Sequence, residues 1–320
     1  MNRLISASRY PIRKTDLFPE SVSCLGLAAP AGPFSLSAYE SACRFLTGLG
    51  IRLISRKPVL RDGVPSYLSA PAEIRAAELN DLIRNPEVQA IYCLRGGYGS
   101  VHLLDRLDWE TLRRRKLPVI GYSDITALHS AMLSKRAGVA VSACMALRLE
   151  TDSGSTAFRR HFRRAWGIAL HQRGKYRRIA GLRILKAGPE PVEAGLFCGN
   201  LTMLASLCGT GYLPAMKGKV IFLEDIAEPV RKLDRSLMQL KLSGFFDSCA
   251  AVVFGDFKQC GDSAERDGLF RRFAAEMNCP VFSGLHYGHC SRSISLVCGE
   301  KALLRSGSLY LRDPFSEPRS

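Results

Sequence analysis

The sequence predicts an α/β protein in two parts: an N-terminal open, mostly parallel sheet flanked by helices, then a smaller C-terminal α/β domain of short strands. Three observations predict it. A chain of 320 residues holds about two domains of roughly 150 residues, each long enough to bury a core. From Val22 onward, short apolar runs alternate with segments of helical periodicity, the pattern of βαβ units. A stretch from Ser153 to Pro189 with ten basic residues and no acid separates two such patterns. The expected organisation is therefore a basic N-terminal extension (1–20), an α/β domain (21–150), a basic connector (151–190) and a C-terminal domain (191–320).

The elements follow in order. Val22 to Ala28 is a buried apolar run and reads as a strand, with Ala29-Pro30-Ala31-Gly32-Pro33 as the turn after it. Ser35 to Leu46 is amphipathic, with Ser35 or Ser37 as N-cap and Gly48 as a stop. Arg52 to Ser55 starts a second strand, Pro71 to Arg84 is a periodic helix, and Val88 to Leu94 is a strand. Leu117 to Gly121 is a further strand, feeding a helix from Asp124 to Ser134. In the second half, strands are expected at 192–197, 220–223, 250–254, near 281, at 294–297 and at 302–304. A helix or turn starts at Leu201, and helices cover 230–242 and 264–277.

Composition narrows the function classes. Hydrophobic residues at 47% and a mean hydropathy of +0.01 are those of a folded globular chain. No run of about 18 apolar residues occurs, so no membrane span is expected, and the N-terminus lacks the apolar core of a secretory signal. The net charge of +16 would suit an anionic partner, but ten of those charges lie between residues 153 and 189 and no nucleic-acid-binding signature accompanies them. That segment reads first as a solvated connector. Its arginines 159, 160, 163 and 164 are expected to be dispensable for chemistry. Eleven cysteines, none closer than Cys290 and Cys298, exclude CxxC metal or redox pairs and point to a reducing, cytoplasmic setting.

Four places could carry chemistry. In Gly121-Tyr122-Ser123-Asp124, Ser123 occupies the tight turn between a strand and a helix, where a hydroxyl is exposed beside the N–H of Asp124. The same serine could equally cap the helix. Arg95-Gly96-Gly97-Tyr98-Gly99 is a second turn of this kind, either an anion-binding loop or an ordinary βα turn. Glu224 and Asp225 end an apolar strand, as caps or as a carboxylate that orients a histidine. His286 and His289 stand in a glycine-flanked loop, suited to an exposed base or to a pair of metal ligands; no carboxylate neighbours them, and no metal site is expected.

Taken together, RGGYG at 95–99, GYSDITAL at 121–128, Gly199-Asn200-Leu201, Phe222-Leu223-Glu224-Asp225 with Asp234-Arg235, and Gly288-His289 resemble, in order, the LD-carboxypeptidase family of muramoyltetrapeptide carboxypeptidases and microcin C self-immunity hydrolases. The resemblance covers about Val22 to Leu304. It implies a cofactor-free serine hydrolase with Ser123 as nucleophile, His289 as base and Glu224 as its orienting acid. It also implies backbone oxyanion donors at Asp124 and at Gly96 or Gly97, with Arg95 and Asn200 as substrate-binding candidates. The implied substrate is a murein tetrapeptide that loses its terminal D-alanine during wall recycling, or alternatively a peptide–nucleotide antibiotic conjugate. A non-enzymatic polyanion-binding protein is the third reading, and a homodimer is considered. Departures from the family pattern fall at Cys144, at Val230 and at Leu296-Val297-Cys298-Gly299. They bear on substrate preference more than on chemistry.

Overall fold

The computed structural model describes residues 11–55 and 65–315; half of the N-terminal extension, 1–10, lies outside them. The first sheet is built from β1 (Cys24–Ala28), β2 (Arg52–Ile54), β3 (Ala90–Cys93), β4 (Pro118–Gly121) and β5 (Val139–Ser142), all parallel and in the order β2-β1-β3-β4-β5. This is the doubly wound order, whose direction of winding reverses between β1 and β3, so that the loops after those two strands diverge and leave a crevice at the C-terminal sheet edge. Helices Leu36–Gly48, Ala72–Arg84 and Thr126–Lys135 connect the strands. Ser35 is the N-cap of the first, its Oγ accepting the Ala38 N–H at 3.2 Å.

The second sheet contains β6 (Lys175–Gly181), β7 (Arg183–Lys186), β8 (Val192–Asn200), β9 (Val220–Ile226), β10 (Ala251–Lys258) and β11 (Val281–Ser283). The short β12 (Leu296–Val297) leaves it, and β13 (Lys301–Arg305) and β14 (Ser308–Asp313) complete it, in the order β6-β14-β13-β8-β9-β10-β11-β7. Its centre, β8-β9-β10-β11, is parallel and its flanks are antiparallel. With eight strands among the described residues it is not the smaller sheet, because the segment expected as a connector supplies two of them. The two sheets are also tied together. β12 pairs antiparallel with β5 through Leu296 and Ser142, so the second half of the chain closes the first sheet, and Ser142 Oγ meets Tyr287 Oη at 2.9 Å in the interior.

The basic segment is built into the fold. Residues Thr156–Ala169 form a helix whose apolar face, Phe158, Phe162, Ala165, Trp166 and Ala169, is buried. Phe162 and Trp166 pack edge-on against Phe18, with centroids at 5.7 and 5.2 Å. Each such ring contributes on the order of 2 kcal/mol by leaving water, which is why a helix with four arginines docks instead of remaining solvated. Arg164 is among the buried residues: its guanidinium grips Glu300 through both oxygens, at 2.7 and 3.1 Å, and donates to the carbonyls of Ser295 and Arg312. The reading of this stretch as a solvated connector is therefore corrected at Arg164, which is a buried structural residue.

Candidate active site

The end of β4 places Ser123. Its backbone is left-handed, φ +60°, a conformation that costs a non-glycine residue about 1–3 kcal/mol and that recurs at functional turns. The chain runs from β4 into a single 3₁₀ turn, Ser123–Ile125, and then the helix Thr126–Lys135. No side-chain cap bonds either start, so Ser123 is not the helix cap. Gly121 permits the sharp turn, since a Cβ there would lie 2.9 Å from Ile125.

Asp124 joins this elbow to the glycine-rich loop. Its buried carboxylate accepts the N–H groups of Gly99 and Ser100 at 3.2 and 2.9 Å, and Ser100 Oγ donates back to the Asp124 carbonyl at 2.6 Å. From beneath, buried Arg75 donates to the carbonyls of Pro30 and Gly99. Burial raises the Asp124 carboxyl above its ordinary range against the pull of those bonds and of Arg75. The loop at 95–99 thereby sits beside Ser123: a Cβ on Gly96 would lie 3.3 Å from Ser123 Oγ.

β9 supplies the acids. They sit next to each other at the end of the strand and share the Asn200 amide, but their remaining partners differ. Glu224 Oε2 lies 2.7 Å from His289 Nδ1, which donates to it. Asp225 accepts from Asn200 Nδ2, the Thr202 N–H and hydroxyl, and the Ile226 N–H, with no bond to His289 among the described residues. Both carboxyls are raised by burial, and the Asp225 charge adds to the effect at Glu224, while His289 opposes it. The His289 ring packs on Tyr122 with centroids 4.8 Å apart.

Ser123 and His289, from opposite halves of the chain, line one cavity of about 310 Å³. Arg95, Gly96 and Gly97 line it as well, and Arg95 is held by a bond to the Pro33 carbonyl at 2.6 Å. Such an arrangement can take a proton from a hydroxyl, hold the resulting imidazolium against a carboxylate and place a cation near an anionic substrate end. Asn200 is not part of the lining. It is 5% exposed and spends its amide on Glu224, Asp225 and the Met203 N–H, so it fixes the acids and does not face the cavity. His286 is exposed and is not among the residues that line this cavity. Among the described residues, no cluster of three His, Cys, Asp or Glu side chains could hold a metal.

Residues 25–143 match the LD-carboxypeptidase N-terminal domain, and residues 193–304 match its C-terminal domain. The chain belongs to the LD-carboxypeptidase family. It is 32% identical to the murein tetrapeptide carboxypeptidase of Pseudomonas aeruginosa over 299 residues, covering 89% of this chain and 94% of that one. To the probable murein peptide carboxypeptidase of Bacillus subtilis it is 30% identical, with 88% of each chain covered. The crystal structure of a muramoyltetrapeptide carboxypeptidase from Oxalobacter formigenes superimposes with a TM-score of 0.75 at 27% identity, over 90% of this chain and 98% of that one.

In this member of the family, two features of the site and one position outside it were not expected. Arg148 reaches the cavity wall from the chain beyond β5 and is fixed by Asp152 at 3.0 Å. The Asp124 side chain, and not its N–H alone, organises the loop opposite. Val230, one of the departures from the family pattern, is buried in the core of the second half and does not line the cavity. An arginine four residues before an aspartate, as in Arg148 and Asp152, is a spacing that favours an ion pair on a helical turn, and it was the available signal.

Proposed function

We propose that this protein is a serine carboxypeptidase that hydrolyses the L,D peptide bond of murein tetrapeptides, releasing terminal D-alanine in the cytoplasm as a step of peptidoglycan recycling. The observation that carries the reading is the hydrogen-bonded Glu224–His289 pair opening on the same cavity as the strained Ser123. The murein peptide substrate is supported by the names of the relatives.

In this reading His289 takes the Ser123 proton at Nε2 as Oγ attacks the scissile carbonyl, and Glu224 holds the imidazole through Nδ1–H. The N–H of Asp124 and one of Gly96 or Gly97 receive the oxyanion. The proton then passes from His289 to the leaving D-alanine amine, and water, deprotonated by the same imidazole, releases the acyl group from Ser123. Arg95 or Arg148 would pair with the substrate carboxylate, which makes the enzyme an exopeptidase.

The test is D-alanine release from an L,D-tetrapeptide by the purified chain, run beside an all-L control and a peptide–nucleotide conjugate. Release from the tetrapeptide alone, insensitive to chelators and lost to a serine-directed phosphonate, is the expected result. Turnover of the conjugate alone would transfer the assignment to the immunity-type activity, and turnover of neither would sink it. Loss of activity on chelation with recovery on added zinc would remove the serine mechanism.

A further inference from the structure

A second cavity, of about 280 Å³, opens between one face of the Thr156–Ala169 helix, the chain at Thr15 and Asp16, and the end of β14. None of its lining residues belongs to the serine cavity. We propose that it binds a small phosphate-bearing anion.

The cavity is lined by Arg159, Arg160, Arg163 and Arg177 against two carboxylates, Asp16 and Asp313. Both acids are already engaged. Asp16 holds the Arg13 N–H at 2.9 Å and its guanidinium at 3.5 Å, while Asp313 lies 3.4 Å from Arg177 and accepts the Phe315 N–H. Among the described residues, Arg159, Arg160 and Arg163 form no ion pair within 4 Å. Arg159 is locked in place by neutral acceptors, the carbonyls of Ser153 and Gly154 and the Thr156 hydroxyl. Arg163 lies flat over the Phe315 ring, 3.9 Å from its centroid, with a buried Nε that has no partner among the described residues. Arg160 is exposed, and no hydrogen bond or ion pair holds it among the described residues.

Two held guanidinium groups, Arg159 and Arg163, with a third, Arg160, exposed beside them, match the oxygens of a phosphate monoanion or dianion, which accept the paired N–H bonds that a point cation cannot give. His161, between Arg160 and the buried Arg164 on the same helix, is held down at about 4, first by burial and then by those two arginines. A cavity of this volume admits a phosphate with a few attached atoms and excludes a nucleic-acid duplex.

The experiment is thermal denaturation of the full chain against inorganic phosphate and, separately, glycerol 3-phosphate, with ionic strength held constant by potassium chloride. Both should raise Tm saturably, by about 2 °C at ten times Kd. Arg160→Gln, an exposed change, should weaken the apparent Kd at least fivefold with the unliganded Tm unmoved, and Arg160→Gln/Arg163→Gln should abolish the shift. Arg44→Gln, on another helix, should keep it. No saturable shift, or an unchanged Kd in Arg160→Gln, would overturn the proposal. So would competitive inhibition of peptide hydrolysis by phosphate with a Ki equal to that Kd, which would put the anion in the serine cavity instead.

Discussion

Glu224 reaches His289 across a residue that has to be glycine. A Cβ on Gly288 would lie 2.6 Å from Glu224 Cβ and 2.7 Å from its Oε2, and the residue has φ +118°. The close approach that brings the carboxylate within 2.7 Å of Nδ1 therefore depends on the missing side chain. Gly288→Ala should push the two apart and lower kcat by about 10²-fold or more, since misplacement of roughly 1 Å has that effect. A variant with kcat near the parent's and an unchanged pH profile would show that the contact does not matter.

The neighbouring acids should separate activity from folding. Glu224→Gln leaves His289 without an ionised partner and should reduce kcat by about 10³–10⁴-fold. Asp225→Asn puts a donor where Asn200 and Thr202 already donate, so it should reduce Tm more than kcat. A larger kcat loss in Asp225→Asn would reverse the assignment. The linkage sign adds a second reading. Burial raises the folded Glu224 carboxyl above its unfolded range, so its contribution to stability is fully present below that range and is lost as pH rises through the raised value. Glu224→Gln should accordingly gain stability over the parent at pH 8 and not at pH 4, as denaturant unfolding at the two pH values would report.

Ser123 is expected to separate in the same way. Ser123→Ala keeps the strained φ and should lower kcat by on the order of 10⁴–10⁶-fold with little change in Tm. Adding His289→Ala should cost little more, because the two act as a unit. Ser123→Gly, equally inactive, should be more stable than Ser123→Ala by about 1 kcal/mol, since glycine is at ease at φ +60°. Equal stability of the two would mean that the elbow stores no strain.

The mostly parallel character of the first sheet was legible in the sequence, because apolar runs and turn glycines are local signals, whereas Ser123, Glu224 and His289 stood out from their ordinary readings as caps and loop residues only through the family resemblance. What was not legible depended on tertiary burial. The helix Thr156–Ala169 carried its signal in Phe158, Phe162 and Trp166, four residues apart, but the arginines between them made the stretch look solvated. Nothing local distinguishes buried Arg164 from exposed Arg160, since the difference is Glu300, 136 residues away. Asn200 likewise reads as a polar residue at a strand end until Glu224 and Asp225 are brought beside it.

Removing half of the Arg164–Glu300 pair should be severe. The side chains are 1% and 3% exposed, and Glu300 also accepts the Val297 N–H, so the pair anchors β12 against the first sheet. Arg164→Met leaves a buried carboxylate without its cation and should cost about 3–5 kcal/mol, whereas Arg164→Met/Glu300→Leu should recover most of that. Arg160→Gln, on the same helix, is the surface control. An Arg164→Met protein with the parent's denaturant midpoint would show that the pair contributes nothing.

The last prediction concerns acid stability and rests on His129. Within the helix Thr126–Lys135 this residue is 1% exposed, and its Nε2 lies 3.0 Å from the Val119 carbonyl. A carbonyl can only accept, so the ring is the neutral tautomer protonated at Nε2. Burial lowers its pKa from 6.5 to about 4. Because the folded value is depressed, the contribution to stability is full above pH 6.5 and is lost as pH falls through about 4. Converted at 1.36 kcal/mol per unit, that loss is about 3 kcal/mol. Total stability alone will not isolate it, since Asp124, Glu224 and Asp225, all raised by burial, contribute with the opposite slope as pH falls. The difference between the parent and His129→Gln, which keeps a donor toward Val119 and cannot titrate, removes those shared terms. That difference should shift by about 3 kcal/mol in favour of the glutamine variant between pH 7.5 and pH 4. A difference that stays constant with pH would mean that His129 is not held neutral by the fold.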